Sequence, residues 1–421
     1  MHIKLTRQPP DDESLIPPQF LQESTLSKKI NDRLATPLNT MTTFFVRRSV
    51  EKAFQLDEPP SGLTLNALKP LKADPPHITS AVDDIMYIVN KVLEQSLATS
   101  QIGVVTNVVP TLSRVLGSDF IGMTQRKMRD ECYPRAVVQG GQPPEQTIIA
   151  FLVLINNLDI AVDYIHRIVA KNTEAKKILP GPDGRPEETS QLEALFPAPG
   201  EATLVAQAMQ NLASSFEAKV TDLHSDGIQV IFNNVVKHRL RPILADAFRD
   251  IEYQPDPSTE YSPETNPDED ETNTTTTPRG ELVRPRFANG WTSLLHPISR
   301  ILTPTSFDRL LGVTTSYLAR LLEKRLWSYH GRINALGATR LERDVAGVVN
   351  AAVDVGPSTS GGPDGHGRYK HREVFMRCLQ MVLVLGMDEE EWEDVVRGGE
   401  TAEVVERLSA EERGRVRGMR R

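Results

Sequence analysis

The 421-residue sequence predicts an all-α protein, an elongated rod of two packed helical bundles with disordered inserted loops. Apolar residues recur every three or four positions along most of the chain, and no stretch alternates like a strand for more than four residues. Aromatic residues make up only 6% of the chain, and the apolar positions are mainly Leu, Ile, Val and Ala, which suits helix-on-helix packing. Because the length exceeds what one hydrophobic core usually serves, two or more domains are expected.

The clearest helix signal runs from Ser80 to Leu97. Ser80 is suited to cap this helix by accepting a hydrogen bond from the amide of Asp83, and the carboxylates of Asp83 and Asp84 suit the positive end of the helix dipole. This structural role accounts for the paired aspartates, so an acid–base dyad is not predicted. The apolar residues of the segment share one stripe of a 3.6-residue helix: Val82, Ile85, Met86, Val89, Leu93 and Leu97.

Composition divides the chain into five predicted segments. The fourth is the best domain boundary because it is rich in Thr and acidic residues and has no Lys or Arg between Ile251 and Thr277. The segments are a disordered N-terminus at 1–25, a helix plus Pro-rich linker at 26–78, a middle helical bundle at 79–250, an acidic disordered linker at 251–285 and a C-terminal helical bundle at 286–421.

Individual helices follow from the periodicity and from Pro and Gly punctuation. Residues 170–203 are predicted to form an exposed insertion and residues 355–367 a flexible connection, and Pro242 is expected to bend its helix. Upstream of the acidic linker, helices are predicted at 26–56, 80–98, 102–116, 119–131, 144–171, 204–221 and 227–250. Downstream, they are predicted from a cap at Thr305-Ser306 through Leu326, around Leu341–Val349, and at 369–385, 389–397 and 401–417.

Charge and cysteine content exclude several classes of protein. The net charge of -8 arises from the eight acidic residues of the linker, because 56 minus 8 leaves 48 acidic residues against 48 basic ones. Without an overall positive field, no nucleic-acid partner is predicted. The two cysteines, Cys132 and Cys378, are too few for a disulfide framework or a four-cysteine zinc site, which indicates a reducing compartment.

The sequence predicts neither a signal peptide nor a membrane-spanning helix. Its first residues contain no long apolar run. The longest apolar stretch, Ile148–Ile155, is followed by Asn156, Asn157 and Asp159 and is too short to cross a bilayer. We therefore predict that it is a buried helix and that any contact with a membrane is peripheral.

No pattern typical of catalysis, metal binding or cofactor binding is found in the sequence. Gly361–Gly367 lacks the preceding strand and the Lys-Ser/Thr ending of a phosphate-binding loop. His166, His238 and His371 lie on predicted helices next to Arg or Lys, which favours partly exposed positions over metal ligation. The prediction is a protein that is not an enzyme and has no cofactor.

Four passages occur in the order found in one known family. They include SAVDDIMYIVNKVLEQSL, preceded by FFVRRSVEKAFQLD, and RFANGWTSLLHPISRILTPTSFDRLL. They resemble the middle and C-terminal parts of subunit 4 of the conserved oligomeric Golgi (COG) complex, a CATCHR-type tethering family, and cover most of the chain from Phe44 onward. The passages are Phe44–Asp57 with Ser80–Leu97, Arg286–Leu311, Leu318–Val349 and Arg372–Val395.

The resemblance implies a non-catalytic helical scaffold in a multisubunit complex that tethers vesicles in intra-Golgi retrograde transport. It implies peripheral attachment to the cytosolic face of the Golgi membrane. The implied partners are the other COG subunits, SNAREs and their regulators, and small GTPases. A helical adaptor outside the Golgi tethering system is the alternative. The chain differs from the family in lacking the N-terminal coiled-coil region and in its extra loops, so we expect it to be a fragment.

The resemblance also gives a structural site. An F-x-R pattern ends at Arg377, and an L-S-x-x-E pattern downstream ends at Glu412. We predict that these residues form a partly buried ion pair that fixes the last helix against its neighbour. Two unrelated surface charges are the alternative.

Two further regions are candidate interaction surfaces. Trp291 is predicted to pack at the entry to the second bundle, but a single Trp at a domain boundary is also a candidate partner contact. The basic C-terminal end, which includes Arg413, Arg415 and Arg417, is a candidate contact for anionic lipid or an acidic partner. A solvated helix terminus is the alternative for the arginines.

Overall fold

The computed structural model describes residues 24–135, 141–174, 176–180, 186–254, 282–354 and 366–421. Within these residues the secondary structure is almost entirely helical, which confirms the all-α prediction. The predicted disorder at the N-terminus and in the acidic linker, and the predicted flexible connection, fall almost wholly outside them. The chain divides into two compact units: residues 1–61, 73–133 and 153–226, and residues 62–72, 134–152 and 227–421.

The first unit is built mainly from long helices. Two of them, α6 and α8, also contribute residues to the second unit. The helices are α1 Thr25–Ile30, α2 Thr36–Gln55, α3 Ser80–Ala98, α4 Ile102–Val115, α5 Ile121–Arg126, α6 Glu145–Glu174, α7 Gln191–Leu195 and α8 Glu201–Ile231. Five-residue π-helical turns at Asn31–Ala35, Leu116–Phe120 and Lys127–Glu131 continue α1, α4 and α5. The predicted helices at 102–116 and 119–131 therefore form one continuous helical run.

Aromatic rings and buried amides organise the core of the first unit. The ring of Phe120 lies 5.9 Å from that of Phe54 and 6.0 Å from that of Phe216. Asn157, which interrupts the apolar run of the sequence, is buried and accepts a 2.9 Å hydrogen bond from the amide of Thr79. Since a buried amide side chain is stable only when hydrogen-bonded, this polar interruption anchors α6 to the start of α3.

Helix α6 is long and apolar enough to cross a membrane by length and composition, but 67% of its most apolar window is buried within the protein. This burial agrees with the prediction of a core helix at this position. The predicted cap of α3 is wrong. The hydroxyl of Ser80 accepts from the amide of Glu58 at 3.0 Å, and the carboxylate of Asp57 accepts from the amide of Ala81 at 3.1 Å. Asp57, which precedes α3 by more than 20 residues, thus accepts from an amide in the first turn of this helix, where the sequence predicts a local cap by Ser80.

The second unit is also helical. Helix α11 begins after the N-cap Thr303, whose hydroxyl accepts from the amide of Ser306, so the predicted cap at Thr305-Ser306 lies two residues too late. The helices are α9 Lys237–Ala247, α10 Val283–Ser299, α11 Pro304–Trp327, α12 Ala335–Val353, α13 His366–Glu373, α14 Met376–Gly386, α15 Glu389–Arg397, α16 Glu400–Val404 and α17 Ala410–Arg417.

A close backbone approach fixes residue 253 against α12 in the second unit. A Cβ atom at Gly337 would lie 1.7 Å from the carbonyl oxygen of Tyr253, so only glycine fits there. The Tyr253 hydroxyl donates a 2.9 Å hydrogen bond to the buried Asp344. Burial, together with the nearby Asp344 carboxylate, raises the pKa of the Tyr253 hydroxyl.

Three features depart from the predicted organisation. Residues 176–190 include a short antiparallel hairpin, β1 Lys176–Pro180 paired with β2 Pro186–Ser190, inside the predicted exposed insertion. Helix α8 runs through the predicted break at 222–226. Residues 227–250 pack with the second unit rather than with the middle bundle, because their apolar side contacts α10 and α11. The chain therefore passes between the units for the last time within α8 and not in the acidic linker.

Candidate functional site

The guanidinium of Arg377 joins three parts of the second unit. Arg377 lies in the first turn of α14, where its Nη2 donates to Oε1 of Glu412 in α17 at 2.7 Å. The same group donates to Oε1 of Glu323 in α11 at 3.0 Å. Its Nη1 also donates to the carbonyl oxygen of Arg407 at 3.3 Å. The structure thus brings Arg377 and Glu412 together and adds Glu323 as a second carboxylate.

Local sequence presents Glu412 to this arginine. Ser409 is the N-cap of α17, and its hydroxyl accepts from the Glu412 amide while the Glu412 carboxylate accepts from the Ser409 amide at 2.9 Å. This reciprocal capping box holds the carboxylate at the start of the helix. The hydrogen bond from Arg377, with a smaller contribution from Ser409, lowers the pKa of Glu412 to about 2.

The charged cluster of Arg377, Glu323 and Glu412 lies at the edge of the unit. The side chains of Arg377, Glu323 and Glu412 are 36%, 27% and 29% exposed. An ion pair with this exposure is screened less than a surface pair but escapes the desolvation cost of a buried one. Two carboxylates on one guanidinium also fix its orientation by charge-assisted hydrogen bonds.

Neighbouring side chains tie α14 to the C-terminal segment. Gln380 donates to the carbonyl oxygen of Val404 at 2.8 Å and accepts from the amide of Arg407 at 2.9 Å. Cys378 is buried and its thiol contacts the carbonyl oxygen of Ala319. Because burial raises the pKa of the Cys378 thiol to about 12, this cysteine is held as a neutral thiol and not as a nucleophilic thiolate.

The basic C-terminal end is used within the fold. Arg417, with a side chain only 15% exposed, donates to the carbonyl oxygen of Met387 at 2.5 Å and pairs with Glu389 at 2.9 Å. The Nε of Arg413 donates to the carbonyl oxygen of Leu408 at 2.9 Å. The guanidinium of Arg415 lies 5.2 Å from the centroid of the Trp327 ring. Arg413 and Arg417 therefore bind carbonyls and a carboxylate of their own unit, whereas Arg415 is exposed beside the Trp327 ring, and the candidate partner contact at this end stays a prediction.

Trp291 is not on a surface. It is fully buried in α10, and its ring stacks on that of Phe287 at a centroid distance of 5.4 Å. The candidate partner contact at this residue is therefore corrected to a core position. The apolar spacing of α10 predicts this packing, whereas the domain-boundary argument for a surface does not hold in three dimensions.

The histidines have different environments. His166 and His238 are partly or largely exposed, as predicted, but His371 is buried and lies 2.6 Å from Asp308. Burial by itself would raise the pKa of Asp308, but the hydrogen bonds and charges of His371 and Lys370 together lower it. Within the described ranges, no group of three or more His, Cys, Asp or Glu side chains is arranged to hold a metal ion.

Sequence reasoning missed Glu323 as the third member of the charged cluster. It lies 54 positions before Arg377, among other charged residues of α11, so no local pattern singles it out. The capping box at Ser409 and Glu412, in contrast, is readable as S-x-x-E. A local motif therefore locates one carboxylate, and only the packing of α11 against α14 locates the other.

Two family models match this chain, and related proteins from several organisms are similar to it in sequence. The model described as "Conserved oligomeric Golgi complex subunit 4, C-terminal" matches residues 151–415, and that described as "COG4 transport protein, middle alpha-helical bundle" matches residues 2–128. Subunit 4 of Arabidopsis thaliana is 24% identical over 380 residues, which are 90% of this chain and 43% of the relative. Subunit 4 of Saccharomyces cerevisiae is 24% identical over 261 residues, which are 59% of this chain and 27% of the relative.

A solved structure shows the same kind of fold. The C-terminal domain of the exocyst subunit Sec6p matches with a TM-score of 0.53 and 12% identity, covering 94% of this chain and 86% of that chain. At this identity the likeness concerns the fold alone. The chain spans less than half the length of the subunit 4 relatives that it matches. Since the C-terminal family model covers well over half of the chain, the chain belongs to the family of subunit 4 of the conserved oligomeric Golgi complex.

Proposed function

We propose that this chain is part of a multisubunit tethering complex in intra-Golgi retrograde vesicle transport and acts there as a helical interaction scaffold. The observation that carries the proposal is the family match over residues 151–415. The matched range includes the charged cluster that links the C-terminal helices. A scaffold needs helices held in fixed positions, and the Arg377 cluster links α11, α14 and α17 to one another.

The proposed partners are the other subunits of the complex, SNAREs and their regulators, and small GTPases. The proposed location is the cytosolic face of the Golgi membrane, with peripheral attachment. Support for peripheral attachment comes from α6, whose apolar side chains are mostly used in the protein core. Tethering by several individually weak contacts fits a scaffold, because linked weak contacts reach a high combined affinity.

A non-catalytic role is part of this proposal. The described nucleophile and base candidates support it: Cys378 is buried with a raised pKa, and His371 is buried against Asp308. Both side chains are buried at contacts between helices. Their contacts join α14 to α11 and α13 to α11.

Affinity purification tests the proposal. We would purify the tagged chain from the cells in which it is naturally made and quantify the other COG subunits by mass spectrometry. We expect these subunits to be enriched over a tag-only control. A matched control variant, Glu393→Gln, changes an exposed residue of α15 and should leave the enrichment unchanged. Recovery of the chain without any COG subunit would contradict the proposal.

A further inference from the structure

Helix α2 and the π-helical turn before it expose an apolar surface that no described element covers. We define the outer face as Leu34, Leu38, Met41, Phe44 and Phe45. These side chains are 64%, 42%, 69%, 73% and 53% exposed. The opposite side of the same helix packs into the core of the first unit through Val46, Val50, Ala53 and Phe54. The helix is therefore apolar on two sides, and its own unit uses only one of them.

The spacing of the outer face suits a second helix. Leu34, Leu38, Met41 and Phe45 are separated by four, three and four residues, which is the spacing of the apolar seam in a coiled coil. Such a seam is exposed in water at a cost unless a partner covers it. Contiguous exposed apolar side chains of this kind mark interaction surfaces more often than isolated ones do.

A groove beside the outer face offers a place for an inserted side chain. It has a volume of about 440 Å³ and lies between α2 and the helical run at 118–126. Phe44 forms one wall, and Gly122 lies on the other side, where a Cβ atom would meet no atom within 4 Å. The groove is therefore open enough to receive an apolar anchor, the arrangement by which interfaces gain most of their binding energy.

Charge around the outer face favours an acidic partner. Residues 24–55 contain six Lys or Arg and two Asp or Glu, a net charge of +4. Arg47, Arg48 and Arg126 line the groove itself, and its two acids, Glu51 and Asp119, pair with Arg48 at 2.6 Å and Arg47 at 3.5 Å, so three basic and two acidic side chains leave the lining a net charge of +1. An excess of exposed cations attracts and orients a negatively charged segment.

We propose that the outer face binds an acidic amphipathic helix of another protein, with its apolar residues along the seam and one apolar anchor in the groove beside Phe44. The heptad spacing and the groove favour a helix over a flat lipid surface. This inference goes beyond the proposed function and does not depend on it, because spacing, exposure and charge of this surface are properties of the first unit alone.

A designed peptide pair tests the surface directly. The probe is an amphipathic helix of about three heptads with Leu at the seam positions and Glu at the flanking ones, and its control carries Lys in place of Glu. We expect the chain to bind the acidic peptide and not the basic one in a fluorescence anisotropy titration. Met41→Ser with Phe44→Ser should weaken binding about tenfold or more, since an apolar residue of the seam and a wall of the groove are both lost. Tyr87→Ser, at a similarly exposed position in the same unit, should leave binding unchanged.

Folding and alternative occupants are controlled in the same series. Both altered residues are mostly exposed, so far-ultraviolet circular dichroism should show unchanged helix content. Equal binding of the basic peptide, variant-sensitive binding to vesicles of phosphatidylcholine and phosphatidylserine, or self-association that the variant abolishes would each overturn the proposal.

Crosslinking identifies the natural occupant. A photoreactive phenylalanine analogue replaces Phe44 in the chain expressed in its own cells, and the crosslinked segment is sequenced by mass spectrometry. The expected product is a segment of another protein with net negative charge and apolar residues at three- and four-residue spacing. Crosslinks to residues 1–23 of the same chain, to lipid, or to a basic segment would contradict the proposal.

Discussion

Two arginine-rich regions of this protein look alike in sequence and differ in structure. At the C-terminal end of the second unit, Arg377, Arg413 and Arg417 donate to carboxylates and carbonyl oxygens of the same unit. Around α2 in the first unit, Arg48 and Arg126 line an open groove next to the exposed ring of Phe44. In both regions arginines pair with acids of their own unit, and around α2 they also border an open groove beside an exposed phenylalanine, so the number of arginines in a segment does not by itself indicate a binding surface.

The largest expected effect is a loss of stability, and it should differ between an aromatic residue of the second unit and one of the first. Trp291→Ala should lower the free energy of unfolding of the second unit by about 3–5 kcal/mol, because it leaves a cavity in a packed core. Phe44→Ala should change stability by less than about 0.5 kcal/mol, because the ring is mostly exposed. Urea unfolding followed by far-ultraviolet circular dichroism measures both variants. A similar loss for the two would remove the contrast between core and surface.

A smaller effect is expected at the charged cluster. Arg377→Ala should destabilise the second unit by about 2 kcal/mol, between the values typical of surface and buried ion pairs. Combining it with Glu412→Ala in a double-mutant cycle should give a coupling energy of about 1 kcal/mol. All Trp residues of the chain lie in this unit, at positions 291, 327 and 392, so Trp fluorescence during urea unfolding reports on it selectively. Strictly additive losses would show that the two residues do not interact.

The pH dependence of the stability of the second unit tests the contribution of the Glu412 carboxylate. Its pKa of about 2 in the folded protein lies below its ordinary value of 4.5, so its ionised form stabilises the fold above about pH 4.5. This contribution should fall as the pH drops from about 4.5 to 2. The difference in unfolding midpoint between the unaltered protein and Glu412→Gln should therefore shrink over that range, measured by Trp fluorescence. A difference that stays constant with pH would mean that the carboxylate charge contributes nothing.

The smallest effect is expected at the C-terminal arginines. Arg415→Ala removes a partly exposed contact with Trp327 and should cost about 0.5 kcal/mol. Arg413→Ala together with Arg415→Ala should leave binding of the acidic peptide unchanged, because these residues belong to the second unit, whereas the outer face belongs to the first. Anisotropy titration of the double variant checks this. Loss of peptide binding would place the acidic-helix site in the second unit instead.

Local motifs explain how much of the candidate site the sequence predicts. The S-x-x-E pattern indicates the capping box at Ser409 and Glu412, and the resemblance to a known family links Glu412 to Arg377. Glu323 was not predicted, because its role depends on α11 packing beside α14 and not on neighbouring residues. The exposure of His371 was predicted wrongly for the same reason, since Arg and Lys neighbours say nothing about the Asp308 that faces the ring.

The sequence predicts the positions of helical segments more accurately than the exact ends of the helices or their assignment to the two units. Apolar repeats located α3, α4, α6 and α11 to within a few residues. The hairpin at 176–190 was missed, because Pro and Gly clusters predict turns but do not reveal that short flanking segments pair with each other. The unit boundary inside α8 was also missed, since a continuous helix carries no compositional sign of a change in its packing partner.

By itself the sequence determined that this chain is helical, that its net charge is concentrated in one segment and to which family it is related. Apolar periodicity, charge clusters and family motifs can be recognised from residues that are neighbours in sequence. Only the tertiary structure decided which apolar and basic residues face outward. The Phe44 and Phe54 positions of α2 are equally apolar in sequence, yet one is 73% exposed and the other 7%. The physical reason is that burial requires another part of the chain to cover a side chain, and that covering element is distant in sequence.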